Sequence, residues 1–207
     1  MRTRHLMPQL TNVLDQPVVY QLWQAPFVAA KLRPFVRNND LTDVRRVLDV
    51  GCGPGTNSSV FSHTEYLGLD MNPRYIEIAR QRHRGDFQVA DVREYQSSTG
   101  DLYDCIFINS FLHHIDDENT TSILQNMHSL LSDDGHINIL ELVMPETASI
   151  GRWLARHDRG DFARSVERWH DIFQTQFEPV IFEPYNVGLA GVTLWNMVYF
   201  KGRPRTP

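Results

Sequence analysis

Residues 47–55, Val47-Leu48-Asp49-Val50-Gly51-Cys52-Gly53-Pro54-Gly55, carry the fold signal of this chain. A short apolar run ends in glycines at alternate positions. That pattern reads as a buried strand stopping at a glycine turn. In a parallel sheet, ligands sit beyond the carboxyl ends of the strands. A glycine there lets backbone approach a ligand with no Cβ in the way.

Working outward, Tyr66-Leu67-Gly68-Leu69-Asp70 reads as a second strand. Between the two, a helix is expected near 56–62. Asn72-Pro73 opens another helix with proline in its first turn. Phe87-Gln88-Val89-Ala90-Asp91 is a third strand. Residues 103–109, around Cys105-Ile106-Phe107-Ile108, form a fourth, buried on both faces. Ile123, Leu124, Met127, Leu130 and Leu131 give 117–131 the spacing of a helix. Asp133-Asp134-Gly135 reads as a turn, and 136–144 as a fifth strand. Strands alternating with helices imply a parallel sheet covered on both faces.

The two ends differ from this core. A helix within 17–37 is expected to be broken at Pro26 and Pro34. Residues 147–176 read as helical with a break at Asp158-Arg159-Gly160-Asp161. Residues 179–182 and 192–201 then read as strands. They lie too close in sequence for a crossover helix, so they pair antiparallel.

Composition narrows the function classes. The 207 residues are 42% apolar and 22% charged, which excludes a disordered chain and fits one soluble domain. Twenty Lys and Arg against 25 Asp and Glu leave a net charge of −5, a poor balance for a nucleic-acid backbone binder. Two cysteines exclude a disulfide framework and a four-thiolate zinc site. No apolar run reaches the ~18 residues of a membrane span, and the basic N-terminus leads into no apolar segment, so the expected location is the cytoplasm. Oligomeric state leaves no mark.

The glycines give Gly-x-Gly-x-Gly. Position 56 is Thr, so the Gly-x-Gly-x-x-Gly pattern of a dinucleotide site fails at its third glycine. Residues 45–145 and the terminal hairpin instead resemble the class I S-adenosylmethionine-dependent methyltransferases. The likeness rests on four spaced motifs: Val47–Gly55, Leu67–Asn72, Ala90-Asp91-Val92, and Asp104–Ser110 followed by Leu112-His113-His114. It implies a Rossmann-like α/β fold with a seven-stranded, mostly parallel sheet in the order 3-2-1-4-5-7-6, the last strand antiparallel. A helical lid would come from 10–40 and 147–176 of this single domain.

The resemblance also implies roles. Gly51, Gly53 and Gly55 would lie against the amino-acid part of S-adenosylmethionine, with Asp49 near its ammonium. Asp70 would hold the ribose hydroxyls and Met71 pack on the adenine. Asp91 would accept from the adenine amino group, and Val92 backbone would read the ring edge. Asn109 and Ser110 would lie near the methionine portion. S-adenosylhomocysteine would be the product.

A sulfonium methyl is already activated, so transfer rests largely on positioning. A base is needed only where the acceptor gives up a proton. His113 and His114 are the candidates. Neighbouring rings on a turn are expected to diverge, which disfavours a metal site with Asp116, Asp117 or Glu118. Tyr20, Trp23, Arg152, His157, Arg159, Arg164 and Tyr185 are candidate acceptor contacts. Methyltransferases acting on DNA base amino groups carry a Pro-Pro-aromatic turn after the fourth strand. Asn109-Ser110-Phe111-Leu112 stands here, which favours a small-molecule acceptor over nucleic acid. The rival readings are an NAD-dependent oxidoreductase on a similar sheet and a non-catalytic S-adenosylmethionine-binding regulatory module.

Overall fold

The structure is a computed structural model that describes residues 27–97, 100–157 and 160–205. Its strands are β1 (Arg46–Val50), β2 (Glu65–Asp70), β3 (Asp86–Val89), β4 (Tyr103–Asn109), β5 (Leu131–Leu142), β6 (Phe177–Leu189) and β7 (Val192–Pro204). They form one sheet in the order β3-β2-β1-β4-β5-β7-β6. The first five pair in parallel, and β7 runs antiparallel to both β5 and β6. This is the order and handedness of pairing that the motif series implied.

The helices are α1 (Val28–Asn38), α2 (Pro73–Arg82), α3 (Asp117–Leu130), α4 (Ile150–His157) and α5 (Val166–Gln174). One face of the sheet packs Leu48, Ile106, Ile137 and Val198 against Leu124 and Met127 of α3 and Trp169 and Phe173 of α5. The other packs Val47, Phe107, Leu140 and Tyr199 against Leu32 and Phe35 of α1 and Ile76 and Ala79 of α2. Phe35 stands 4.8 Å from Phe107, centroid to centroid. Coverage on both faces explains why the interiors of β1 (residues 47–50) and β4 (residues 105–108) run apolar rather than alternating. Asp49 is the exception, set in the central strand between Gly68 and Phe107.

Several boundaries differ from the sequence reading, each for a physical reason. Residues 56–62 yield only a 3-10 turn, Ser58–Phe61. The Ser58 hydroxyl donates to the Gly55 carbonyl at 2.8 Å and so competes with helix formation. β5 begins at Leu131 and absorbs the expected turn at Asp133–Gly135. The chain there runs so close to β4 that a Cβ on Gly135 would meet the Tyr103 carbonyl at 2.8 Å, and the pairing slips register at that point. α1 continues through Pro34, which is buried with Leu32 and Phe35. The terminal strands are longer than expected and meet in a two-residue turn, Ala190-Gly191, both with positive φ. Pro184 and Gly188 lie inside β6. β6 is an edge strand paired only with β7, where proline is tolerated.

Candidate active site

The carboxyl ends of β1, β2 and β3 carry the three predicted acids. Asp49 is 1% exposed. Its Oδ2 accepts from the Tyr66 hydroxyl at 2.6 Å, while Oδ1 has no partner among the described residues. Burial is the main force on this carboxyl and, with the charge of Asp70, pushes its pKa up to about 7 against the opposing Tyr66 and Asn57 side chains. Asp70 fastens the glycine loop: Oδ2 accepts from Gly53 N at 2.9 Å and Oδ1 from Asn72 N at 2.8 Å. Each oxygen keeps acceptor capacity. Met71, next to it, is an apolar side chain left 62% exposed.

Two glycines show what the loop is for. A Cβ on Gly53 (φ +55) would meet nothing within 4 Å, so this backbone lies open to an approaching ligand. A Cβ on Gly51 (φ +69) would strike the Phe111 ring at 2.5 Å. Ser110 reaches that packing by adopting φ 54, the left-handed region a side-chain-bearing residue seldom enters. Its N–H donates to Leu140 O at 2.8 Å. The Asn109 amide donates to Asn57 Oδ1 at 3.3 Å, tying the end of β4 to the loop.

A cleft of about 200 Å³ lies alongside, lined by Met71, Asp91, Val92, Arg93, Phe111 and His114 among others. Asp91 is not a free carboxylate. Arg93 donates to both its oxygens, at 3.0 Å and 3.1 Å from Nε, and reaches Asn119 Oδ1 at 2.8 Å. The Arg93 hydrogen bonds hold the Asp91 carboxyl below the ordinary carboxylate range.

After β4 the chain makes the 3-10 turn Leu112–His114. Glu141, wholly buried on β5, holds it from below. Its Oε1 accepts from Phe111 N at 2.8 Å and Leu112 N at 2.6 Å, and its Oε2 meets His113 Nδ1 at 2.8 Å. Burial alone would raise the Glu141 pKa. His113 and the two N–H groups outweigh it and hold the carboxyl below its ordinary value. As a carboxylate, Glu141 only accepts, so Nδ1 carries a proton. His113 is 2% exposed, whereas His114 is exposed and lines the cleft. The two rings do not diverge as expected: their centroids are 4.1 Å apart. No group of three or more metal-binding side chains occurs among the described residues.

With the cradle described, comparison with known proteins becomes informative. Residues 47–135 match the family model described as a methyltransferase domain. This segment is similar to methyltransferase domains. Trans-aconitate 2-methyltransferase of Escherichia fergusonii is 30% identical over 128 residues, covering 58% of this chain and 48% of that protein. Phosphoethanolamine N-methyltransferase 1 of Triticum aestivum is 30% identical over 117 residues, covering 52% of this chain and 22% of that protein. The chain thus spans about half the length, or less, of these curated relatives. N-methyltransferase NodS from Bradyrhizobium japonicum, solved with S-adenosyl-l-homocysteine, superposes with a TM-score of 0.64 at 17% identity over 94% of this chain and 91% of that one. At that identity the likeness concerns the fold.

The structure disposes of the acceptor candidates unevenly. Arg164 does not face the cleft. Its guanidinium is engaged by Leu112 O, Phe162 O, Ile115 O and Asp117, and is buried over Trp169 at 4.5 Å. Arg152 donates to the carbonyls of Pro145 and Glu146, bracing the loop after β5. Tyr185 lines a second cavity, of about 430 Å³, between the end of β5 and the hairpin, but its hydroxyl is spent on Lys31 O at 2.8 Å. Tyr20, Trp23 and Arg159 lie outside the described residues, and His157 is the last residue of α4. Glu141, Arg93 and Phe111 escaped the sequence reading. Only Glu141 left a mark there: an acid inside the run Ile139-Leu140-Glu141-Leu142-Val143.

Proposed function

We propose that this chain binds S-adenosylmethionine across the ends of β1, β2 and β3 and transfers its methyl group to a small molecule, in the cytoplasm and without a nucleic-acid or membrane partner. The observation that carries the reading is Asp49 Oδ1, a buried acceptor with no partner among the described residues, beneath a glycine loop whose backbone is open at Gly53. A cationic amino-acid head group fits that need. Asp70 keeps lone pairs for ribose hydroxyls, Met71 offers an apolar surface to the adenine, and Asp91 shares its carboxylate between Arg93 and the amino group. Val92, Asn109 and Ser110 complete the walls. Among the described residues no helix is long and apolar enough to cross a membrane.

Bound there, S-adenosylmethionine supplies an activated sulfonium methyl. The chain's own part is to place the acceptor and to take its proton. His113 is the candidate base: its Nδ1 is held by Glu141, and Nε2 is the nitrogen that would take the proton. Such a base suits an O–H or N–H acceptor. His114 forms part of the cleft wall instead. Removing the base, as in His113→Asn, is expected to lower the turnover number about 10²- to 10⁴-fold once an acceptor is in hand, with cofactor affinity little changed. An equal loss of both would remove His113 from the chemistry.

The proposal makes a pH prediction. A raised acid pKa means the unliganded chain loses stability as pH rises from the ordinary carboxyl range toward 7, where Asp49 ionises against its burial. A cation against Oδ1 favours the carboxylate. S-adenosylhomocysteine affinity is therefore expected to fall as pH drops below 7, approaching tenfold per unit. Calorimetry across that range checks it. Asp49→Asn is expected to flatten the slope, and a flat wild-type profile would speak against the ammonium role.

A further inference from the structure

The turn that carries His113 is held from two sides, and only the core side belongs to Glu141. On the other side, residues 160–164 run along it. Gly160 packs so tightly on the imidazole that an added methyl would collide with Cδ2, the ring carbon bonded to Nε2. Phe162 N donates to His113 O at 2.9 Å. Arg164 Nη1 donates to Leu112 O at 3.1 Å, and Nη2 to Ile115 O at 2.7 Å. One planar guanidinium thus spans the carbonyls just before and just after the His113-His114 pair.

From these contacts we infer that Arg164 is a positioning residue for His113, pinning the Leu112–Ile115 backbone so that the imidazole keeps its Nδ1 on Glu141. The inference rests on the proton-accepting role proposed above for His113. Arg164 is suited to it chemically. A guanidinium is permanently charged and presents donors in a fixed fork, so it can hold two carbonyls at a set spacing. Its own position is over-determined: Nε pairs with Asp117 Oδ1 at 2.6 Å, Cζ lies over Trp169, and its carbonyl accepts from Met144 N at 2.8 Å. The first turn of α3, the segment after β5 and the start of α5 thereby converge on one residue. Glu141 and Arg164 are two buried, oppositely charged groups, each bonded to backbone groups of the turn. The backbone N–H groups go to the anion and the carbonyls to the cation.

Arg168 provides the control. It shares Asp117 with Arg164 but makes no bond to the turn. A purely structural role through Asp117 and α3 would show in both variants, and a hold on His113 only in Arg164.

The test is the imidazole Nδ1–H proton of His113 in ¹⁵N-edited NMR of the full chain, assigned by its absence in His113→Asn. Hydrogen-bonded to a buried carboxylate, it is protected from exchange with water. Wild type and Arg168→Ala are expected to show it, and Arg164→Ala is expected to lose it. If Arg164→Ala does not fold, Arg164→Lys decides: it keeps the charge but not the fork, and the signal is again expected to weaken or vanish. A wild-type signal in a folded Arg164 variant overturns the inference, as does equal loss in Arg168→Ala. Calorimetry of wild type with S-adenosylhomocysteine is run in parallel. Failure to bind there defeats the proposed function, whereas binding with an unchanged His113 signal in the Arg164 variant defeats only the positioning role.

Discussion

Glu141→Ala is expected to cost about 3–5 kcal/mol of folding stability, the range for removing one partner from a buried, hydrogen-bonded charged site. The variant leaves the N–H groups of Phe111 and Leu112 and the Nδ1 of His113 facing a cavity with no acceptor. Each buried donor left unpaired costs about 1–3 kcal/mol, and their sum is capped by relaxation of the turn. The measurement is the urea midpoint at constant slope. A loss under about 1 kcal/mol would mean that the turn holds itself without the carboxylate. Glu141→Gln is expected to be milder, since its amide oxygen still accepts from the backbone. The pH dependence follows from the sign of the shift. The Glu141 pKa is held below its ordinary 4.5, so the stabilisation is present above that value and is lost as pH falls through the lower, folded-state one.

The second large effect falls on ligand affinity. Asp70→Ala is expected to weaken S-adenosylhomocysteine binding about 100-fold, or roughly 3 kcal/mol. Two losses combine. The proposed ribose contact disappears, and Gly53 N and Asn72 N lose the acceptor that fastens the loop to the end of β2. Asp91→Ala is expected to cost less, about tenfold at most, because much of that carboxylate is already spent on Arg93. An Asp91 effect exceeding that of Asp70 would reverse their proposed ranking.

What could be read from sequence follows the sheet. The glycine loop and the acids after β1, β2 and β3 are local patterns, and parallel pairing follows from alternating strands and helices, whereas the strand order came from the family resemblance. The turn after β4 is different. Glu141 lies 28 residues from His113 in sequence and meets it only because β4 and β5 pair in parallel, with Asn109 opposite Leu140. Its place in an apolar strand was visible, but its partner was not. Arg164 looked like an acceptor contact because it sits among aromatic and basic residues between the fifth and sixth strands. Burial over Trp169 and the carbonyls of Leu112 and Ile115 gave it another use, and no sequence pattern encodes carbonyls as partners. The hairpin was legible in pairing sense but not in length, because proline on an edge strand looks like proline in a loop.

The central claim is that the cleft beside Asp49, Asp70 and Asp91 is an S-adenosylmethionine site. Calorimetric titration of the purified chain with S-adenosylmethionine, S-adenosylhomocysteine and NAD at neutral pH tests it most directly. Saturable one-to-one binding of the first two, with no heat from NAD, is the predicted result. Binding of NAD with no response to either adenosyl compound would contradict it.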